Sequence, residues 1–168
     1  MDGWPPGAEG CHLMPGSTSA PAALDALLAV LQAWPALAAP VDVRDGARVN
    51  LPSAAQAVIV GWGGDPGDRL AIEATASQEG LAGGPDREKY TIRCAALAVA
   101  GDGSMTEARA AAYALLGACG AAIAASRTLS GTVLSAMIAS HALTQDPVLA
   151  GGRATVEFGV ECTAYTTS

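Results

Sequence analysis

Ala154-Thr155-Val156-Glu157-Phe158-Gly159-Val160-Glu161-Cys162-Thr163-Ala164-Tyr165 alternates without a slip. Ala154, Val156, Phe158, Val160, Cys162 and Ala164 fall on one side of an extended chain, and Thr155, Glu157, Gly159, Glu161, Thr163 and Tyr165 on the other. This is the pattern of a half-buried strand with a wet, acidic face. Before it, Gly131-Thr132-Val133-Leu134 opens a second strand that runs to Thr144, and both faces of that strand are small or apolar. Thr144-Gln145-Asp146-Pro147 and Gly151-Gly152 supply a loose loop between the two, so the chain's end reads as an antiparallel hairpin.

Upstream of this hairpin, Ser104-Met105-Thr106-Glu107 is a capping-box pattern, and residues 106–125 are strong helix formers with Tyr113, Leu115, Leu116 and Ile123 as the large apolar contacts. The alanine content lets this helix lie close to a sheet or to another subunit. Tyr90-Thr91-Ile92-Arg93-Cys94-Ala95-Ala96-Leu97-Ala98-Val99 is a strand, and residues 70–77 alternate as the strand before it. Between them, residues 78–89, with Gly80, Gly83, Gly84, Pro85 and the charged run Asp86-Arg87-Glu88-Lys89, form a long hairpin tip expected to order only on docking. Residues 57–61 suit a central strand, and 41–44 a short strand ending at the Asp45-Gly46 turn. Leu24, Leu27, Leu28, Leu31 and Trp34 recur at helical spacing after a Ser19 cap and Pro21, and Pro35 ends that helix. The order predicts an α+β fold: a mostly antiparallel or mixed sheet of about four to six strands packed by two α-helices.

Residues 1–18 mix proline and glycine with few large apolar groups, too little burial to offset the entropy of ordering, and read as a flexible arm. Residues 19–168 form one domain. The first sixteen residues have no basic start and no continuous apolar stretch, so no secretory signal is expected. Glycine, serine or charge breaks the apolar stretches before the roughly 20 residues of a membrane span, and a soluble protein made in the cytoplasm is expected.

The chain has 168 residues and a net charge of −7, which argues against a broad phosphate-binding surface and sequence-reading of nucleic acid. An acidic wall still allows DNA to slide past without sticking. Cys11, Cys94, Cys119 and Cys162 are widely spaced with no CxxC, the pattern of buried free thiols. One lysine against eight arginines, with abundant Ala and Gly, is the composition of a GC-rich coding sequence.

Gly61-Trp62-Gly63-Gly64-Asp65-Pro66-Gly67 follows a strand, yet it lacks the Gly-Lys-Ser/Thr ending of a phosphate loop and leads into a strand rather than a helix. It reads as an exposed turn with Trp62 as an assembly contact. A Ser–His hydrolase would need His141 with Ser130, Ser135 or Ser140, and no GxSxG elbow supports one. Glu157 and Glu161 share a strand face about 13 Å apart, too far to act as a carboxylate pair, and Glu73 is placed to approach them across the sheet. These three read as a solvated or subunit-facing acidic surface.

Several stretches taken in succession resemble the tail terminator proteins of long-tailed bacteriophages, especially those of GC-rich hosts. They are the helix at 22–34, Val58-Ile59-Val60-Gly61-Trp62, Arg87-Glu88-Lys89-Tyr90-Thr91-Ile92-Arg93-Cys94, Ala108-Arg109-Ala110, Thr128-Leu129-Ser130-Gly131-Thr132-Val133-Leu134, Leu143-Thr144-Gln145 and Gly152-Arg153-Ala154. The likeness covers about residues 21–164 and departs at the Pro/Gly-rich arm. It implies a structural virion protein, not an enzyme, with no cofactor and no metal. Such a subunit forms a homo-oligomeric ring, typically a hexamer, on the head-proximal end of the tail. It touches the tail tube protein on one side and the head–tail connector or neck proteins on the other, stops tube polymerisation, and lets DNA pass, with no membrane partner. In that setting Glu73, Glu157 and Glu161 are candidate lumen or subunit-interface residues. Trp62, Arg87, Glu88 and Lys89 are candidate assembly contacts. The alternatives are a head-completion, neck or tail-tube subunit of the same virion, or a small ligand-binding domain or enzyme using the loop 61–67.

Overall fold

The computed structural model of the chain describes residues 18–46, 54–63, 70–77, 86–148 and 151–166. The arm reading therefore falls outside the described residues except at Thr18, as do positions 64–67 of the glycine-rich loop and 78–85 of the expected hairpin tip.

The longest ladder forms the middle of the sheet. β4 (Arg87–Ala100) pairs antiparallel with β6 (Gly151–Tyr165) over its whole length, from Arg87 opposite Tyr165 to Ala100 opposite Gly152. Along its other edge β4 takes two shorter partners in succession. β3 (Ile72–Ser77) pairs with residues 87–92 and β2 (Gln56–Val60) with 94–98, both antiparallel. At the junction the Trp62 N–H donates to the Arg93 carbonyl and the Arg93 N–H to the Ala71 carbonyl. β1 (Asp42–Asp45) adds to β2 in parallel, and β5 (Ser135–Val148) pairs antiparallel with β6. Among the described residues the result is a mixed six-stranded sheet with two α-helices, the expected α+β fold.

Both helices lie on one face. α1 (Ala20–Gln32) turns Ala23, Leu27 and Leu31 inward, and α2 (Met105–Ala125) turns Ala108, Ala112, Leu115, Cys119, Ala122 and Ile123 inward. They meet Tyr90, Ile92, Cys94 and Ala96 of β4 and Val156, Phe158, Val160 and Cys162 of β6 in one buried cluster. Each large aliphatic side chain so enclosed contributes about 1.5–3 kcal/mol. The three described cysteines are free and buried in this core. Desolvation pushes the Cys119 and Cys162 thiols up to about 12 and Cys94 higher still, so none reacts as a thiolate near neutral pH.

Local signals account for the element boundaries. The Ser104 hydroxyl accepts from the Glu107 N–H at 3.3 Å and starts α2 as its capping box implies. Ser104→Ala is expected to cost about 1 kcal/mol; a two-state chemical denaturation midpoint measures it, and an unchanged midpoint would mean that the cap contributes nothing. α1 ends at Gln32, before Trp34, and Pro35–Leu37 forms a 3₁₀ turn instead.

The C-terminal hairpin differs from its sequence reading in two ways. Residues 126–134 are turn rather than strand, because Leu129, Ser130 and Gly131 all take positive φ while the Leu129 side chain is buried. The ladder begins only where the Leu134 N–H donates to the Thr163 carbonyl. At the other end, Thr144–Pro147 and Gly151–Gly152 are strand rather than loose loop. Asp146 opposes Arg153 and binds it at 3.2 Å, and Pro147 is tolerated because β5 lies at the sheet edge. Gly151 takes φ +124°, and a Cβ there would run into the Ala100 carbonyl, so only glycine fits this corner.

Candidate functional site

Because strand partners share a face, the register maps the side of the sheet that faces away from the helices. One row across it reads Glu73, Thr91, Glu161, Met137; the next Arg93, Gly159, Ser140; the next Ile59, Ala95, Glu157, Ala142. The three carboxylates singled out from sequence therefore lie on one face. Glu73 and Glu161 are exposed and two strands apart, about 10 Å, so they do not form a close pair. Arg93 is interleaved between the rows of Glu161 and Glu157, and Lys89 stands outward beside Thr75 and Thr163. The face is thus mixed in charge rather than purely acidic. Its outer margins are internally neutralised by Arg44 with Asp42 at 3.0 Å and Arg153 with Asp146.

Trp62 is not an outstretched loop residue. Its indole lies on this face against Ile59, Ala95 and Leu97, and its Nε1–H donates to Glu157 Oε1 at 3.0 Å. The indole, Leu70, Glu73, Arg93, Ser140 and Glu157 border a shallow concavity of about 340 Å³. Its floor is Gly159, where a Cβ would come within 2.9 Å of Thr91 Cγ2 and 3.0 Å of Ser140 Oγ. The concavity combines an aromatic wall with carboxylates and one guanidinium.

The charged run 86–89 also divides. Arg87 begins β4, with its guanidinium 6.0 Å from the Tyr165 ring centroid. Lys89 is exposed. Glu88, expected as an assembly contact, is only 5% exposed, and its Oε2 accepts from both the Ser19 N–H and the Ser19 hydroxyl at 2.9 Å. It is a tie between α1 and β4, not an outward contact. Residues 87–89 accordingly belong to a strand and not to the expected mobile tip. His141 sits on the helix side of β5, edge-on to Tyr113 with ring centroids 5.8 Å apart, whereas the neighbouring Ser140 faces the opposite side. The Ser140–His141 arrangement of a hydrolase is therefore not assembled.

The outer side of α2 is legible in the sequence only as part of an alanine-rich helix able to lie close to a sheet or to another subunit. From Ala110 to Ser126 no residue is charged. Ala110, Ala114, Gly117 and Ala121 are exposed, Tyr113 is 38% exposed, and all lie away from the sheet. The turn before β5 leaves Leu134 47% exposed, while Met137, 56% exposed, belongs to the opposite, polar face of the sheet. The signal was present as an unbroken stretch without charge between Arg109 and Arg127. Its direction needed the buried set at Ala108, Ala112, Leu115 and Cys119 to define the opposite side. By length and composition alone α2 is able to cross a membrane, contrary to the reading of its apolar stretch as broken; its inner side is nonetheless packed on the sheet. Neither a family model nor a curated protein matches the chain.

Proposed function

We propose that the chain is a structural subunit of a bacteriophage tail, the terminator that caps the head-proximal end of the tail tube as a ring of about six copies. The observation that carries this reading is the division of the surface into two unlike parts. From Ala110 to its end α2 presents an exposed, uncharged outer side, with Glu107 and Arg109 confined to its first turns, and the adjoining β5 carries no Asp, Glu, Lys or Arg before Asp146, a composition suited to close packing against another copy. The sheet's other face is polar and carries Glu73, Glu157 and Glu161 among Arg93 and Lys89. Turned toward a channel, such a mixed face offers DNA no continuous cationic track to adhere to. The succession of sequence features resembling tail terminators supplies the particular identity, and the α+β fold agrees with it.

Native mass spectrometry and negative-stain microscopy test the reading, on the purified chain alone and after mixing with assembled tail tubes. A single ring, or one ring closing a tube end, is the expected result. Rings that stack into extended tubes would instead make the chain a tube subunit. A monomer that leaves tube ends bare would overturn the ring.

A further inference from the structure

Among the described residues β1, β3 and β5 each pair on one side only; β1 is four residues long and blunted by Asp42, Arg44 and Asp45, whereas the β3 and β5 edges complement each other. β5 pairs only with β6, which leaves the outward backbone groups of a 14-residue strand without a strand partner among the described residues. Natural edge strands of this length are blunted by lysine, proline or charge. Here Ser135 to Gln145 contain no lysine, arginine, aspartate, glutamate or proline. A bulge between Ile138 and Ser140 is the only irregularity. Such an edge is built to be covered.

β3 pairs only with β4, and no strand among the described residues pairs with its outer edge. Its helix-side residues Ala74 and Ala76 are exposed, because α1 packs over β1 and β2, and α2 over β2, β4, β5 and β6. β3 thus offers a shelf of small side chains with a free ladder edge beside it. α2, in turn, overlies the β5 edge: Tyr113 touches His141, and a Cβ on Gly120 would lie 3.7 Å from Ile138 Cδ1.

Strand directions make these two edges compatible. β3 and β6 run opposite to β4, and β5 runs opposite to β6, so β5 and β3 point in opposite senses. Rotation about a ring axis keeps every copy in the same sense. β5 of one copy therefore meets β3 of the next antiparallel, in the more stable ladder geometry.

We propose that the ring closes by strand addition, the β5 edge of each copy pairing with the β3 edge of the next while the uncharged side of α2 comes over the neighbour's Ala74 and Ala76. The inference rests on the ring reading and specifies its seam. The contact is heterologous, so it propagates around an axis instead of ending at a dimer. It also joins the polar faces of successive copies into one wall and sets Glu73 of each copy beside its neighbour's β5.

Two chains, each with one exposed introduced cysteine, test the seam. Thr75→Cys on β3 and Ala142→Cys on β5 both stand exposed on the polar face. Each is made with Cys11→Ser, since Cys94, Cys119 and Cys162 are buried and do not compete. The two are assembled together and treated with a bis-maleimide of short spacer. The expected product is a species of twice the subunit mass that needs both variants and is confined to the ring fraction. Amide exchange in wild-type rings should slow in 72–77 and 135–148 together, relative to dissociated subunits. Cross-linking of Ala142→Cys chains to one another would reveal a two-fold β5–β5 contact and overturn the seam. Rings that form without the mixed product and with β3 unprotected would overturn it while leaving the ring intact. Chains that stay monomeric beside tube ends would remove the ring and the seam with it.

Discussion

Replacing Glu88 by alanine is expected to lower the unfolding free energy by roughly 2–3 kcal/mol, because a buried charged acceptor is lost and its donors are left behind. Ser19 is the N-cap residue of α1, but its side chain makes no capping bond within the helix. Its N–H and hydroxyl both donate to Glu88 Oε2, and the Tyr90 hydroxyl lies 3.1 Å from the same Ser19 oxygen. The carboxylate thereby takes over the cap from a distant strand and stands at the positive end of the helix. Burial by itself would raise the Glu88 pKa, but bonds from the Ser19 amide and the Thr18 and Ser19 hydroxyls together outweigh it and leave the pKa below the ordinary 4.5. A depressed carboxylate stabilises the fold fully above its unfolded-state pKa and loses that contribution as pH falls through the folded-state value. The stability difference between wild type and Glu88→Gln should therefore be widest above about pH 4.5 and close on the acid side. Chemical denaturation of both chains across that range decides it. A difference that does not change with pH would mean that the charge contributes nothing.

The same residue shows where sequence reading stops. Glu88 sits in a charged run and reads as solvated, and the partner that buries it is 69 positions away at Ser19. No local pattern encodes that pairing. β6 was legible because its ladder with β4 runs without a slip, so one phase of alternation holds from end to end. β5 was not, and the cause is specific. Before the bulge Ala136 and Ile138 face the helices, and after it His141, Leu143 and Gln145 do, so two alternations of opposite phase run together. The strand then looks apolar on both faces. Trp62 follows β2 as the sequence suggests, but its contact with Glu157 reaches across β4 to β6, which only the sheet order reveals. The shared face of Glu73, Glu157 and Glu161 was half legible: periodicity joins the last two, and pairing through Thr91 adds the first.

Substitutions on the outer side of α2 should separate folding from assembly in opposite directions. Gly117 is exposed in mid-helix, and a Cβ there would meet nothing within 4 Å. Gly117→Ala is therefore expected to stabilise the isolated subunit by about 0.5–1 kcal/mol, since the unfolded chain loses freedom and no contact is strained. Ala121→Glu, one turn further along the same exposed side, should leave subunit stability within about 0.5 kcal/mol, as solvated surface changes do. In a packed seam, however, an unpaired carboxylate costs several kcal/mol. At about 1.4 kcal/mol per tenfold, each contact then weakens roughly a hundredfold or more, and rings should disappear at concentrations where wild type assembles. Thermal unfolding of dissociated subunits gives the first quantity, and native mass spectrometry across a dilution series gives the second. A folded Ala121→Glu chain that still forms rings at wild-type concentrations would show that the uncharged side of α2 lies outside the seam, and the division of surfaces that supports a ring subunit would lose its main argument.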